Sequence, residues 1–251
     1  MAEKIQRQIF GGEESVLARY RRLQVGNGGW GAWILYELAL LLKYWPGISG
    51  LALRRFAWKA LLRSVGPGAV IGEGVTVRNP AAIELGARVV LDDGAVLDAK
   101  GGRIRLGDDV FVSRGAALSC KEGEIELGSH ITIGPRALIQ SVGESRVRIG
   151  DYAMIAANVY VIGCGDYRTD RTDVPMFEQG LLPGQGIEIG RDVWIGANAV
   201  ICDGARIGEG AIVGAQSFVR GEIPPRAVAF GCPATVRRFR GLNEASKPPT
   251  V

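Results

Sequence analysis

Aliphatic residues recur at a spacing of six along the stretch from Ile187 to Val219. The positions that carry this repeat are Ile189, Ile195, Ile201, Ile207, Val213 and Val219. An amphipathic helix needs an apolar period near 3.6 and a half-buried strand needs a period of 2, so the pattern fits neither. It fits very short strands joined by turns, with one aliphatic side chain per strand pointing inward. Three such strands form a triangular coil of about 18 residues, and stacked coils form a solenoid.

The same register extends towards the N-terminus, where equivalent four-residue phrases end in glycine. These glycines are Gly86, Gly107, Gly128, Gly150, Gly190 and Gly208, and they lie 21, 21, 22, 40 and 18 residues apart. Subtracting one 18-residue coil leaves insertions of 3, 3, 4, 22 and 0 residues, all expected at one corner of the triangle. The longest insertion predicts a loop that protrudes near residues 164–186. We therefore predict an all-β solenoid over residues 68–221, followed by an irregular C-terminal tail, residues 222–251.

Residues 1–67 form a separate, N-terminal helical region in this interpretation. Residues 1–28 are polar and predict a loose lead-in, whereas Trp30–Tyr44 is apolar except for Glu37 and Lys43. About 15 residues are fewer than the roughly 20 that a membrane-spanning helix needs. A second helix is predicted over Gly50–Val65, with a basic stripe of Arg55, Lys59 and Arg63. The region either caps the open end of the solenoid or lies on a membrane surface as an anchor.

Composition limits the classes of binding partner and the cellular compartment that we expect for this chain. The chain has 251 residues and a net charge of +4, and it has no long run of Lys or Arg of the kind that binds nucleic acid. Its four cysteines have no CxxC spacing, which favours free thiols in a reducing, cytoplasmic compartment. One histidine cannot supply the three His ligands of a carbonic-anhydrase-type zinc site, and we expect no metal.

The segment Val193–Arg238 carries the most specific motif in the chain. It reads VWIG, then IG-x-GA-x-VGA-x-S-x-V, then a proline pair, then G-x-PA. This segment resembles the hexapeptide-repeat acyltransferases, in the branch that acetylates sugars, and the likeness covers roughly residues 68–240. The resemblance implies a left-handed parallel β-helix that assembles as a homotrimer, with acyl-CoA held between neighbouring solenoids.

The same resemblance implies a function and a co-substrate. The function is transfer of an acyl group, acetyl in the first instance, from acyl-CoA to a hydroxyl or amine of a sugar in polysaccharide or glycan biosynthesis. A lipid-linked glycan acceptor would suit an enzyme held peripherally at the inner membrane surface. The residues that match the family's CoA contacts are Ala197, Ala215, Arg220 and Arg238. Small alanines let an extended pantetheine chain approach the backbone, and arginine suits phosphate through paired hydrogen bonds.

The catalytic position departs from the family pattern. The family places a histidine at the start of the large loop as a general base for the acceptor hydroxyl, and Asp166 occupies that position here. The acceptor sugar is expected to contact Asn158, Tyr167 and Arg168. His130, the chain's one histidine, lies two coils earlier at a different corner, and we interpret it as structural. Cys164 is interpreted as a packing thiol.

Three explanations of the missing histidine stay open at this point. Asp166 could act as the base if the loop encloses it, because burial raises the pKa of a carboxyl group. An amine acceptor could react without a strong base, because a deprotonated amine is already a nucleophile. The third explanation is a non-catalytic solenoid that binds acyl-CoA or a glycan.

Overall fold

The computed structural model describes residues 15–26 and 29–241. Its strands form three sheets that wind into a left-handed parallel β-helix of about seven turns, which confirms the predicted fold class. Each coil contributes one strand to each sheet, and every third strand along the chain is therefore paired. We name the sheets A, B and C in the order in which the chain enters them.

Sheet A contains β1 (Ser64–Val65), β4 (Ile83–Leu85), β7 (Arg103–Leu106), β10 (Glu124–Leu127), β13 (Arg146–Ile149), β16 (Ile187–Ile189), β19 (Arg206–Ile207) and β22 (Glu222–Ile223). Sheet B contains β2 (Val70–Ile71), β5 (Val90–Leu91), β8 (Phe111–Val112), β11 (Thr132–Ile133), β14 (Met154–Ile155), β17 (Trp194–Ile195), β20 (Ile212–Val213), β23 (Ala227–Gly231) and β24 (Ala234–Phe239). Sheet C contains β3 (Thr76–Arg78), β6 (Val96–Lys100), β9 (Ala117–Lys121), β12 (Leu138–Val142), β15 (Tyr160–Gly163), β18 (Val200–Cys202) and β21 (Phe218–Val219). The described helices are α1 (Val16–Gln24), α2 (Trp30–Leu41), α3 (Gly47–Leu61) and the short α4 (Met176–Gln179), with a 3₁₀ turn at Pro80–Ala82.

The six-residue period arises because each strand sends one aliphatic side chain into a common core. All six positions of the repeat are buried, and they belong in turn to sheets A, B and C. In successive coils, the inward aliphatic residues stack directly on one another. Ile155, Ile195 and Val213, for example, are register partners in sheet B. Each fully buried aliphatic side chain of this size contributes roughly 1.5–3 kcal/mol relative to exposure.

The insertions all fall at the corner where sheet C leads into sheet A, which confirms the prediction made from the glycine spacing. The short insertions lie at residues 79–82, 101–102, 122–123 and 143–145, and the long loop spans residues 164–186. The other two corners keep a constant length because the chain must turn there within a few residues. Their tightest residue has positive φ even where it is not glycine, as in His130 (φ 59°) and Asn158 (φ 56°).

His130 lies with Asp109 and Tyr152 in the column of residues at the corner between sheets A and B, away from the corner of the large loop. Its ring stacks on Tyr152 with centroids 4.7 Å apart, and its Nδ1 lies 3.5 Å from Asp109 Oδ2. These contacts link three successive coils. The histidine therefore stabilises a corner and stands apart from the large loop.

The N-terminal helices pack against the open edge of the first coil. Tyr36 donates from its hydroxyl to the Val77 carbonyl at 2.8 Å, and Arg54 donates from Nε to the Ile71 carbonyl at 3.1 Å. Tyr36 and Trp58 are almost fully buried in the same cluster as the first inward residues of the solenoid. An open sheet edge invites further pairing, and these helices cover it.

The helical region differs from the sequence expectation in two places. The stretch expected to be a loose lead-in contains α1, whose first turn is capped by the Ser15 hydroxyl accepting from Ala18 N at 3.2 Å; residues 1–14 lie outside the described part. The second helix ends at Leu61 because Ser64–Val65 already pairs in sheet A, so Arg63 leaves the predicted basic stripe and instead contacts Glu84 at 2.9 Å. No helix among the described residues is long and apolar enough to cross a membrane.

The C-terminal tail is more regular than expected from the sequence. Glu222–Ile223 pairs with β19 and Ala227–Gly231 pairs with β20, so the coil continues past residue 221. Pro224 and Pro225 sit at the turn between sheets A and B, where the missing N–H groups are tolerated. The chain then folds back through β24, which pairs antiparallel with β23. Residues 242–251 lie outside the described part.

The outer face of sheet A carries charges of alternating sign. Successive coils place Glu84, Arg105, Glu126, Arg148, Glu188, Arg206 and Glu222 in register. Opposite charges on directly neighbouring strands are favourable, so the ladder reinforces the stacking of coils. We call this column the sheet A ladder.

Candidate functional site

The two alanines predicted to contact CoA lie on one edge of the solenoid, at the corner between sheets B and C. Each is followed by a residue with positive φ, Asn198 at 59° and Gln216 at 57°. Gln216 N donates to the Ala197 carbonyl at 2.9 Å, and Asn198 N donates to the Ala157 carbonyl at 3.1 Å. The structure therefore brings Ala197 and Ala215 together on neighbouring coils, as a straight edge of small residues.

Glycine is required immediately before this edge. A Cβ atom on Gly196 would lie 2.5 Å from Ala215 N, which is closer than real Cβ contacts come. The absence of a side chain lets the two coils approach and keeps the alanine edge straight. Ala215 is exposed, and no described residue donates a hydrogen bond to its carbonyl oxygen. The last corner of the edge therefore presents an open backbone acceptor beside a methyl group.

Arg238 lies on β24, at the same end of the solenoid as Ala215. It is exposed, its Cα pairs with that of Val228, and it forms no ion pair with the described residues. Two neighbouring arginines, one on β24 and one just after it, contact other side chains. Arg237 lies over the Phe230 ring at 5.3 Å, and Arg240 binds Asp192 Oδ2 at 2.9 Å. Of these three arginines, Arg238 is the one whose guanidinium contacts no described side chain.

The large loop begins as two antiparallel limbs. Leu182 N donates to the Asp166 carbonyl at 2.7 Å, and Arg168 N donates to the Gly180 carbonyl at 2.9 Å. Gly165 permits this pairing, because a Cβ atom there would lie 1.8 Å from the Leu182 carbonyl oxygen. The return limb is held by Asp203, whose carboxylate accepts from Gln185 N at 2.6 Å and from Gly186 N at 2.8 Å. Both ends of the loop are thereby fixed to the solenoid.

Asp166 and Arg220, predicted for two different roles, contact each other directly. Arg220 donates from both terminal nitrogens to the two carboxylate oxygens, at 3.0 and 3.1 Å, across 54 residues of sequence. The carboxylate raises the pKa of the guanidinium. Both side chains remain more than half exposed. In this arrangement a proton taken up by Asp166 would displace one of the two hydrogen bonds, and a phosphate bound by Arg220 would compete with the carboxylate.

The three residues predicted to contact the acceptor are divided between two corners. Tyr167 and Arg168 follow Asp166 on the first limb of the loop, and both are exposed. Asn158 instead lies at the corner between sheets B and C, one coil below Ala197, where its Oδ1 accepts from Arg136 Nε at 3.0 Å. The loop and the alanine edge lie at opposite ends of one side of the triangle. Six residues span one side, so the separation is at most about 20 Å.

An apolar column on the outer face of sheet C fills the space between these corners. Tyr160, Val200 and Phe218 are register partners on three successive coils, and all three are half-buried. Sequence reasoning did not single them out, because alternation within strands of two to four residues gives a weak signal. They could have been identified from their position, because each lies one residue before an inward-facing residue, Val161, Ile201 or Val219.

The cysteines near the loop have the chemistry of packing residues. Burial raises the pKa of the Cys164 thiol, and its Sγ lies 3.3 Å from the Gly165 carbonyl oxygen. Burial also raises the pKa of the Cys202 thiol, although the Arg220 guanidinium acts in the opposite direction. A nucleophilic cysteine needs a lowered pKa. Among residues 15–26 and 29–241, no group of three His, Cys, Asp or Glu side chains is arranged to hold a metal ion.

A groove of about 810 Å³ runs elsewhere, over sheet A beside the corner with sheet B. Its walls include Arg105, Glu126, Arg148 and Glu188 of the sheet A ladder, and none of the predicted site residues lines it. Its charges already pair with each other, for example Arg148 Nε with Glu126 Oε2 at 3.4 Å. The candidate site therefore comprises the alanine edge, β24 and the large loop.

A family model matches one part of the chain. The family model described as bacterial transferase hexapeptide (six repeats) matches residues 186–221, which contain both alanines and Arg220. No curated protein sequence matches the chain.

Solved structures share the fold over most of their length. A variant of AntD, an N-acyltransferase from Bacillus cereus in complex with dTDP-4-amino-4,6-dideoxyglucose and coenzyme A, is 23% identical with a TM-score of 0.53, covering 75% of this chain and 90% of AntD. AntD in complex with dTDP and 3-hydroxybutyryl-CoA is 21% identical with a TM-score of 0.50, covering 74% and 88%. The polysialic acid O-acetyltransferase OatWY is 18% identical with a TM-score of 0.58, covering 72% and 89%. The resemblance to the hexapeptide-repeat transferases is thus confirmed.

Proposed function

We propose that this protein transfers an acyl group, acetyl in the first instance, from acyl-CoA to a hydroxyl or amine of a sugar. The observation that carries the proposal is the alanine edge, with its open Ala215 carbonyl, inside the matched hexapeptide segment. Pantetheine is an extended chain with two amide groups, so it can pair with backbone groups where side chains are small. AntD, which shares the fold, was solved with coenzyme A and an amino-sugar nucleotide, which supports the same classes of donor and acceptor here.

Ala197 and Ala215 carry the pantetheine arm in this proposal. Arg238, exposed and without an ion-pair partner among the described residues, binds the nucleotide phosphates. Arg220 contacts CoA only when it releases Asp166, because one guanidinium edge cannot hold the carboxylate and a phosphate together. Binding of CoA and the position of the loop are therefore linked through the Asp166–Arg220 pair.

Asp166 provides the base or positions the acceptor, with Tyr167, Arg168 and Asn158 as the other contacts to the sugar. The general-base role requires the loop to enclose a carboxylate that is half exposed in the single chain. An amine acceptor needs less help, because its neutral form attacks the thioester carbon directly and expels the CoA thiolate. The acceptor amine then loses its extra proton to Asp166 or to water.

The assembly that completes the site is a homotrimer. In one chain the alanine edge and the loop lie on different corners, with the apolar column of sheet C between them. A neighbouring solenoid placed against the loop would bring one copy's loop to the other copy's alanine edge and would cover the column. Light scattering coupled to size-exclusion chromatography should give three times the mass of 26.8 kDa. A monomer at micromolar concentration would refute the shared site.

The activity is tested with acetyl-CoA and a panel of hydroxyl and amino sugars, free and nucleotide-linked, by following the release of the CoA thiol. We expect a sugar-dependent release of thiol with an equimolar acylated product. Binding of CoA by calorimetry without acylation of any acceptor would instead favour the non-catalytic solenoid. The observation that favours this alternative is the engagement of Asp166 by Arg220. We place the reaction in the cytoplasm, where acyl-CoA is made, with a sugar or a lipid-linked glycan as the acceptor.

A further inference from the structure

The side of the helical region that faces away from the solenoid is apolar. Helix α2 buries Tyr36 and Ala39 against the first coil, and it exposes Trp30, Ile34, Leu38 and Leu41 on the opposite side. The exposed positions follow a spacing of four, four and three residues, so they form one stripe. A helix that is apolar all round belongs in a core or in contact with lipid. One side of α2 packs against the first coil. On the other side, the Arg21 guanidinium lies 5.7 Å from the Trp30 ring centroid, and the stripe stays exposed.

The turn after α2 and the outer side of α3 also expose apolar side chains. Ile48 is 88% exposed and Phe56 is 78% exposed, while Tyr44 and Trp45 in the turn are 65% and 52% exposed. Contiguous apolar patches of this kind mark an interaction surface. Tyrosine and tryptophan are the side chains enriched where hydrocarbon meets headgroups. We call the stripe on α2, the turn and the exposed side of α3 the helical face.

The charges around the helical face are almost all positive. Residues 16–61 contain seven Lys and Arg and one acidic residue, Glu37, whereas the whole chain carries only +4. Glu37 accepts a hydrogen bond from Trp33 Nε1 at 3.0 Å. Arg55 and Lys59 are exposed, lie four residues apart on α3 beside Phe56, and form no ion pair with any described residue. Arg54 and Lys43 are exceptions, since Arg54 turns inward to the Ile71 and Trp45 carbonyls and Lys43 Nζ donates to Thr76 Oγ1 at 2.7 Å.

We propose that the helical face docks on the surface of a lipid bilayer that contains anionic headgroups. An apolar side with basic residues beside it matches such a surface in both hydrophobicity and charge. A second copy of the chain fits less well, because it would bring two strongly positive helical regions together. Binding at this face leaves the solenoid standing away from the bilayer, with the loop after the fifth coil roughly 20 Å from the first coil at about 4.8 Å per coil. The site would then face acceptors that extend from the membrane.

Vesicle flotation of the full chain tests the docking directly and needs no acyl acceptor. We expect the protein to float with vesicles of phosphatidylcholine and phosphatidylglycerol, and much less with phosphatidylcholine alone. Replacement of Leu38 by Asp should weaken the partition by about 10- to 100-fold, the effect of losing one buried apolar anchor. Met154→Asp is the matched control, because both side chains are 49% exposed and Met154 lies on the outer face of sheet B. It should float like the wild type.

The charge component is tested with the pair Arg55→Gln and Lys59→Gln. Loss of both should weaken binding to anionic vesicles by roughly 30-fold, with little change on neutral ones. The matched control removes two exposed arginines of the solenoid, Arg114→Gln with Arg226→Gln, and should have no effect. Raising the salt concentration should reproduce the loss in the wild type.

Two results would overturn the proposal. One is a full chain that does not float with anionic vesicles while its circular dichroism and thermal unfolding show a folded protein. The other is a wild type that floats but loses nothing in Leu38→Asp and in the double glutamine variant. If the wild type does not float and Leu38→Asp lowers the mass found by light scattering, the helical face joins copies of the chain. Acylation of free sugars is independent of each of these results.

Discussion

The two corners that flank sheet C are built from the same repeat but are held together differently. At the corner between sheets B and C, successive coils are joined by backbone hydrogen bonds, from Asn198 N to the Ala157 carbonyl and from Gln216 N to the Ala197 carbonyl. At the corner between sheets C and A, the chain length varies, and ion pairs add to backbone hydrogen bonds such as that from Gly143 N to the Lys121 carbonyl. Arg103 binds Glu84, Arg146 binds Glu124, and Asp203 closes the long loop.

This difference assigns different kinds of function to the two corners. A backbone ladder with small side chains has a fixed geometry, and it suits recognition of an extended cofactor that makes backbone contacts. A corner that tolerates insertions can gain a 22-residue loop without disturbing the coils above and below it. In the proposed function, the chemistry is located at the variable corner, where Asp166 lies, and the constant corner binds the cofactor.

The largest effect should come from Asp166 at the variable corner. If Asp166 takes the acceptor proton, Asp166→Asn should lower kcat by about 10²-fold or more for a hydroxyl acceptor. CoA affinity should not fall and should rise if Arg220, freed from the carboxylate, binds CoA. Asp170→Asn, an exposed carboxylate of the same loop, is the control and should retain activity. Steady-state kinetics and calorimetry separate the two quantities.

Three outcomes would sharpen or redirect this interpretation of Asp166. Full turnover of Asp166→Asn with an amino sugar would mean that orientation of the acceptor, without a general base, accounts for the reaction rate. A gain of activity towards hydroxyl acceptors in Asp166→His would mark the position as the site of a general base. A loss of CoA affinity in Asp166→Asn would show that the carboxylate prepares Arg220 for binding instead.

A tryptophan on the constant corner should give the next largest effect. Ala215→Trp fills the alanine edge while its exposed side chain spares the core, so CoA affinity should fall by about 10- to 100-fold for a misfit of 1–3 kcal/mol. Ala87→Trp is the matched control, because Ala87 occupies the same turn position, before a residue with positive φ, at the corner between sheets A and B. Unchanged CoA affinity in a folded Ala215→Trp variant would move the pantetheine path elsewhere.

The sequence predicted the repeat and the place of the loop that interrupts it, but not the contacts that the loop makes. The spacing of Ile189, Ile195 and Ile201 determined the coil, its three sheets and the corner of the insertions, because each inward position excludes water in the same way. It could not predict the contact of Asp166 with Arg220, since 54 residues and one long loop separate them. That contact depends on the path of the loop, which follows from Gly165 and Asp203 rather than from any period.

The helical region shows the same limit. Tyr36 and Leu38 are both apolar, yet one is buried beneath the helix and the other is 49% exposed. Composition cannot show whether a helix is buried on one side or on both. Here the position of the first coil determines which side is buried. Arg63 lies outside the predicted basic stripe for a related reason, because the helix ends at Leu61, just before the first strand of sheet A.

The smallest effect should come from the charges that hold the variable corner. Glu84 lies where Arg63, Arg103 and Arg105 converge, and the hydrogen bond from Arg103 is the main cause that lowers the pKa of its carboxyl group. Glu84→Gln should therefore destabilise the protein by about 1 kcal/mol at neutral pH, the upper end for ion pairs that are partly exposed. For a chain of this length the melting temperature should fall by about 2 °C.

The pH dependence of the Glu84→Gln effect tests its electrostatic origin. A carboxyl group whose pKa is lowered by folding contributes its stability above the pKa of the unfolded chain, near 4.5, and loses it as the pH falls through the lower folded value. The difference in melting temperature between wild type and Glu84→Gln should thus be constant near pH 7 and shrink below about pH 4.5. Glu126→Gln is the control on the same face, because its nearest guanidinium nitrogens lie 3.4 and 3.7 Å away and its effect should be smaller. An equal loss in both variants at every pH would mean that packing, and not charge, holds this corner.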